Sequence, residues 1–219
     1  MHEQTKVNLG IIILKKLCKL YPEAKIALDF RTNIELLVAT ILSAQCTDIR
    51  VNQITRKLFL NYKTASDYAS ARFNALENEI RSLGLFHSKA KNIIQTARII
   101  CIKYKGIVPR DMQELTSLPG VGRKTANIIL YNAFGKNEGI AVDTHVKRLS
   151  QRLGLTQANN PCKIEQDLME LIARKQWGKV NDLFIAHGRS ICRAREPQCG
   201  ICKINHFCAY NLKKNQEII

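Results

Sequence analysis

The chain has 219 residues, enough for one large domain or two small ones, and 46% of them are hydrophobic, which leaves ample apolar surface for a core. Lysine and arginine number 34 against 18 aspartates and glutamates, and the resulting charge of +16 fits a nucleic-acid partner, although a ribosomal or membrane-surface role would share it. The basic residues are spread along the chain rather than gathered in a tail, so a charged face on a folded body is expected and a disordered basic arm is not.

Residues 7–20 are expected to form a helix with Leu9, Ile13, Leu17 and Leu20 turned inward and Lys15, Lys16 and Lys19 outward, ended by Tyr21-Pro22. Its apolar run Leu9–Leu14 is broken by Gly10 and too short for a bilayer that needs ~20 residues, and no stretch resembles a secretory signal. A soluble cytoplasmic protein with no membrane partner is therefore expected. Thr32-Asn33-Ile34-Glu35 has the form of a capping box and opens an apolar helix, Ile34 to Ala44, that then emits Ser43, Gln45, Thr47 and Asp48. Those polar residues either cap one helix and start the next, Val51 to Leu60, or face a ligand. Residues 66–82 are expected to be one further helix. A glycine turn, Ser82 to Ala90, then precedes a helix from Asn92 to Tyr104; Leu85 in that turn has the character of a core residue, and His87 and Lys89 are either solvated or near phosphates.

After Val108-Pro109 the stretch Leu118-Pro119-Gly120-Val121-Gly122 forms a tight turn that feeds a helix with apolar residues at Ala126, Ile129, Leu130, Ala133 and Phe134. The turn is either an ordinary interhelical connection or a hairpin whose amides approach a phosphate closely, since its glycines present no side chain. Lys124 sits in the helix's first turn, at the positive end of its dipole. Asp143, in Ala141-Val142-Asp143-Thr144-His145, stands where an N-cap is expected, ahead of a helix with Val142, Val146, Leu149 and Leu153 inward and Lys147, Arg148 and Arg152 placed to face phosphates. Helices at 162–174, on Ile164, Leu168, Leu171 and Ile172, and at 181–191 complete an all-α reading with short loops.

The last signal is Cys192-x6-Cys199-x2-Cys202-x5-Cys208, four thiols within 17 residues. That density points to a thiolate site for an iron–sulfur cluster or zinc, and a single C-x2-C argues against a zinc ribbon, which needs two. In a reducing compartment the remaining Cys18, Cys46, Cys101 and Cys162 read as lone thiols.

Three stretches carry a family resemblance. LPGVGRKTA (118–126) resembles the helix-hairpin-helix of base-excision DNA glycosylases, AVDTH (141–145) the strip that bears their catalytic aspartate, and LLVATILSAQCTDIRVN (36–52) their second helix. The cysteine spacing is similar to that of the [4Fe–4S] loop of the endonuclease III family and its adenine-removing relatives. The resemblance covers essentially the whole chain. It implies two helical lobes: a six-helix barrel over 26–136 with the helix-hairpin-helix at about 112–134, and a cluster lobe of 1–25 with 137–219 whose cluster loop is 192–208. A DNA-binding cleft would lie between the lobes, with Lys124 and Asp143 facing each other across it. It further implies a bifunctional N-glycosylase and abasic-site lyase for oxidised pyrimidines, in which Lys124 forms a Schiff base and Asp143 stabilises charge or takes a proton. Gln45 would enter the duplex where a base has left, and Leu85 would wedge between bases. Leu118, Gly120, Val121, Gly122, Thr125 and His145 would contact DNA, and Cys192, Cys199, Cys202 and Cys208 would hold a [4Fe–4S] cluster that pins a basic loop bearing Arg193, Arg195 and Lys203. The implied protein is a bacterial-type monomer, associated with the nucleoid when bound to double-stranded DNA that carries damaged bases or abasic sites. Two rivals remain: an adenine glycosylase, which usually lacks the lysine and carries a further C-terminal domain where this chain ends eleven residues after Cys208, and a non-catalytic cluster-bearing DNA-binding or redox-sensing protein, which would need neither Lys124 nor Asp143.

Overall fold

A computed structural model describes residues 3–216, and every regular element among them is helical. In chain order these are α1 (Glu3–Leu20), α2 (Asn33–Leu42), α3 (Asp48–Asn61), α4 (Ala65–Ala69), α5 (Phe73–Ile80), α6 (Phe86–Tyr104), α7 (Met112–Thr116), α8 (Arg123–Phe134), α9 (Thr144–Arg152), α10 (Pro161–Leu171), α11 (Trp177–Ser190) and α12 (Ala209–Gln216). Short 3-10 turns occupy Arg174–Gln176, Cys199–Ile201 and Asn205–Phe207. No helix among the described residues is long and apolar enough to cross a membrane. The chain divides into two units, one of residues 27–136 and one that combines the segment before 27 with the segment from 137 onward.

In the unit of residues 27–136, α2 is the centre. Its residues Ile34 to Leu42 are all buried, and α3, α6 and α8 pack around it. Thr32 Oγ1 accepts from Glu35 N at 3.3 Å, one half of the expected capping box; the other half is displaced, because the Glu35 carboxylate accepts from Arg31 N at 2.6 Å. The helix expected over 66–82 is instead two, α4 and α5. A full capping box of Thr64 and Asp67 opens α4, and Ser70 Oγ donates back to Ser66 O at 2.9 Å, which closes the short helix and lets the chain turn at 70–72. Both pieces pack against α6 and bury Tyr68, Leu76 and Ile80. The helix expected from 92 begins at Phe86, on a left-handed N-cap residue, Leu85, with φ 58°.

In the other unit, α1 packs on α10 and α11, and α9 packs on both of these as well. The shared core includes Ile13, Leu14 and Leu17 of α1, Val146 and Leu149 of α9, Leu168 of α10 and Phe184 of α11. The inward seam of α1 is therefore Ile13-Leu14-Leu17; Leu9 is half-buried and Leu20, expected inside, is 40% exposed at the helix end. Gly10 permits this close packing, since a Cβ there would lie 3.1 Å from Leu171 O. α11 starts at Trp177, four residues ahead of its expected start.

Candidate nucleic-acid interface and cysteine pocket

α7 and α8 enclose the turn Ser117 to Gly122. Asp111 caps α7 by accepting from Gln113 N and Glu114 N, Leu118 N donates to Leu115 O at 3.1 Å and Val121 N to Leu118 O at 3.1 Å. The side chains of Leu118 and Val121 are buried, so they seat the turn and leave only its backbone to meet a ligand. Two residues of α6 hold it from beneath. Buried Thr96 donates through Oγ1 to Pro119 O at 2.8 Å, and Gly120, at φ +77°, approaches Asn92 so closely that a Cβ would sit 2.9 Å from Asn92 Nδ2.

Gly122 is the N-cap of α8 and brings no capping side chain. The amides of Gly120 and Gly122 have no hydrogen-bond partner among the described residues, and both glycines are exposed. Thr125 is half-buried in the first turn of α8. Lys124 beside it is exposed, and its Nζ makes no hydrogen bond or ion pair among the described residues. This is an uncommitted amine at a helix start whose exposed glycine amides are open to an anion.

Two further turns of the same unit stand out. Gln45, exposed at φ 56°, follows α2, and Leu85, 55% exposed at φ 58°, precedes α6. A left-handed conformation costs a residue with a side chain on the order of 1 kcal/mol. Both residues carry that strain with their side chains in solvent. The turns touch, since a Cβ on Gly84 would lie 3.9 Å from Gln45 O.

In the second unit Asp143 is the N-cap of α9. Its Oδ1 accepts from Val146 N at 2.7 Å, which fixes the direction of a half-buried carboxylate. The preceding strip is pinned by two buried side chains that sequence reading passed over. Glu165 of α10 accepts from Ile140 N at 3.2 Å, and Asn181 of α11 donates to Ala141 O at 2.9 Å. Their signal was a polar residue on an otherwise apolar face. His145 Nδ1 accepts from Arg148 Nη2 at 3.1 Å, which leaves the ring proton on Nε2. Gly188 makes room for this pair, as a Cβ there would fall 2.6 Å from His145 Nδ1.

Arg148 and Arg152, expected to face phosphates, do other work. Arg148 donates to Cys192 O at 3.3 Å and 3.1 Å, and Arg152 donates to Arg193 O at 2.6 Å and Ala194 O at 2.9 Å. One helix thus bears Asp143 at its start and clamps the cysteine loop with its later turns. Cys192, Cys199, Cys202 and Cys208 line a single pocket, along with Arg152 and His187. Arg152 Nη1 lies 3.4 Å from Cys192 Sγ. His187 is buried, with Nε2 3.6 Å from Cys202 Sγ and Nδ1 2.9 Å from the Tyr21 hydroxyl, and burial pushes its pKa down to about 4, so the ring is neutral. Burial, reinforced by repulsion from the neighbouring sulfurs, pushes the Cys202 and Cys208 thiols up. Four thiolates share such a pocket only around a cationic core. No three His, Cys, Asp or Glu side chains among the described residues are drawn together as ligands of a single ion. Arg193, Arg195 and Lys203 are exposed on the loop.

An all-helical chain with a glycine hairpin, an N-cap aspartate and a four-cysteine pocket defines a class of DNA-repair protein, and residues 38–174 match the family described as HhH-GPD superfamily base excision DNA repair protein. The endonuclease III of Synechocystis sp. is 53% identical over 198 residues, which is 90% of this chain and 89% of that protein. A non-covalent endonuclease III–DNA complex superposes with a TM-score of 0.90 at 41% identity, covering 99% of this chain and 100% of that one. A trapped endonuclease III–DNA covalent intermediate does so with a TM-score of 0.90, at 41% identity and 98% and 100% coverage. The chain belongs to the endonuclease III family of base excision repair proteins.

Proposed function

We propose that this chain is a bifunctional DNA N-glycosylase and abasic-site lyase that removes oxidised pyrimidines from double-stranded DNA, acting as a monomer in the bacterial cytoplasm. The observation that carries the reading is Lys124, an exposed and uncommitted amine in the first turn of a helix that opens on exposed glycine amides. Those amides, held against α6 by Thr96, take a backbone phosphate and set the register of the duplex. A base stacked in the duplex is out of reach, so it is flipped out; Leu85 separates the stack and Gln45 fills the gap, both presented by turns already strained toward solvent. Lys124 Nζ, having given up a proton, attacks C1′, the C1′–N bond breaks, and the resulting Schiff base allows β-elimination on the 3′ side. Asp143, directed by its bond to Val146 N, stabilises positive charge on the sugar or accepts the proton.

Cys192, Cys199, Cys202 and Cys208 hold a [4Fe–4S] cluster in this reading, which their shared pocket supports. Bound there, the cluster supplies a cationic core that fixes the basic loop. The 27–136 unit then acts as the barrel lobe with the hairpin, and the other unit as the cluster lobe. The test is strand cleavage of duplexes carrying thymine glycol or one abasic site. Wild type cuts both, Lys124→Ala and Asp143→Asn cut neither, and all three bind the abasic duplex. Binding without cleavage by wild type would reduce Lys124 to a phosphate contact.

A further inference from the structure

Lys89 lies in the first turn of α6 and is 3% exposed. Lysine is almost never buried without an acidic partner, because its charge loses its water. Here Nζ donates to Cys46 Sγ at 3.2 Å and to no other group among the described residues. Cys46 itself is half-buried rather than sealed in the core. Thiol and amine also sit at a junction. Cys46 directly follows Gln45, and Lys89 N donates to Leu85 O at 3.0 Å. A Cβ on Gly84 would lie 3.9 Å from Cys46 Sγ, so the turns bearing Gln45 and Leu85 meet at this sulfur.

We infer that Cys46 and Lys89 form an oxidant-operated covalent staple between these two turns. The oxidant is a hydroperoxide. The Cys46 sulfur attacks its terminal oxygen, the S–O bond forms as the O–O bond breaks, and the peroxide leaves reduced as water or an alcohol, with Cys46 oxidised to a sulfenic acid. Lys89 Nζ, after releasing a proton, attacks that sulfur; the S–N bond forms, the S–O bond breaks, and the hydroxyl departs as water. A sulfenamide remains, and excess thiol reverses it in two exchanges, first to a mixed disulfide and free amine and then to the thiol. The stapled turns no longer move independently. The effect on DNA rests on the roles proposed above for Gln45 and Leu85, whereas the cross-link itself does not.

The test treats the cluster-loaded full chain with hydrogen peroxide at a dose that leaves the cluster absorbance unchanged. Free thiols are then alkylated, the protein is digested without reductant, and the peptides are mapped by mass spectrometry. The expected product is a Cys46–Lys89 linked peptide, abolished by dithiothreitol and absent from Cys46→Ala and Lys89→Arg. Affinity for an abasic duplex should fall about tenfold or more in treated wild type and stay unchanged in treated Cys46→Ala, as loss of positioning at a built site does. Recovery of Cys46 as free thiol, or as a sulfenic acid trapped by dimedone with Lys89 unmodified, would overturn the staple. A linked peptide without loss of affinity would keep the staple and overturn the duplex roles of the two turns.

Discussion

Replacing Gly120 by alanine isolates how the hairpin is held. Two effects add. At φ +77° an alanine costs roughly 1–2 kcal/mol in backbone strain, and its Cβ would lie 2.9 Å from Asn92 Nδ2 and 3.1 Å from Asn92 Cβ. The amide end can swing aside, but the Asn92 Cβ is fixed on α6, so the turn itself must lift. Overpacking of this kind costs about 1–3 kcal/mol more. Gly106 supplies the control, with φ +83° and nothing within 4 Å of a built Cβ. Gly106→Ala therefore carries the strain without the clash. In a chain of this size the difference corresponds to a melting temperature roughly 2–12 °C lower for Gly120→Ala than for Gly106→Ala. Abasic-duplex affinity should fall for Gly120→Ala alone. Calorimetry and fluorescence anisotropy read the two effects. Equal melting temperatures and equal affinities for the two variants would show that the turn is not seated on Asn92.

Thr96→Val removes the donor to Pro119 O and should destabilise by about 1–2 kcal/mol in chemical denaturation, with weaker abasic-DNA binding. Asn181→Ala frees the Ala141 carbonyl beside Asp143; cleavage rate should drop while DNA affinity holds, a split that single-turnover kinetics resolve. Asp182 gives a pH signature. Burial raises its pKa from 3.8 to about 6, so the fold favours the protonated acid; that contribution is present below pH ~4 and lost as pH rises through ~6. Asp182→Asn should then be more stable than wild type by about 1–3 kcal/mol at pH 8 and equal to it near pH 4, and a constant difference across that range would refute the assignment.

The features legible in the sequence are local ones. A hairpin announces itself through Pro119, Gly120 and Gly122, and an N-cap through Asp143 ahead of Val146 and Leu149, because turn chemistry and 3.6-residue periodicity act within a few residues. What escaped depends on partners distant in sequence or on backbone strain. Arg148 and Arg152 look like any exposed basic pair until the loop from Cys192 folds back on them. Glu165 and Asn181 gain meaning only when Ile140 and Ala141 arrive beside them. The break between α4 and α5 turns on one hydroxyl, that of Ser70, competing for backbone carbonyls. Gln45 and Leu85 adopt left-handed conformations that neither residue type favours, so propensity is silent there and the strain is visible only in the fold.

Cleavage in the proposed function depends on Lys124 as the nucleophile. The most direct test of that role is to trap the wild-type protein on an abasic duplex with borohydride, digest the covalent complex and locate the sugar remnant by mass spectrometry. The adduct is expected on Lys124, with no trapped complex from Lys124→Ala. An adduct on any other amine, or undiminished trapping by the variant, would contradict it.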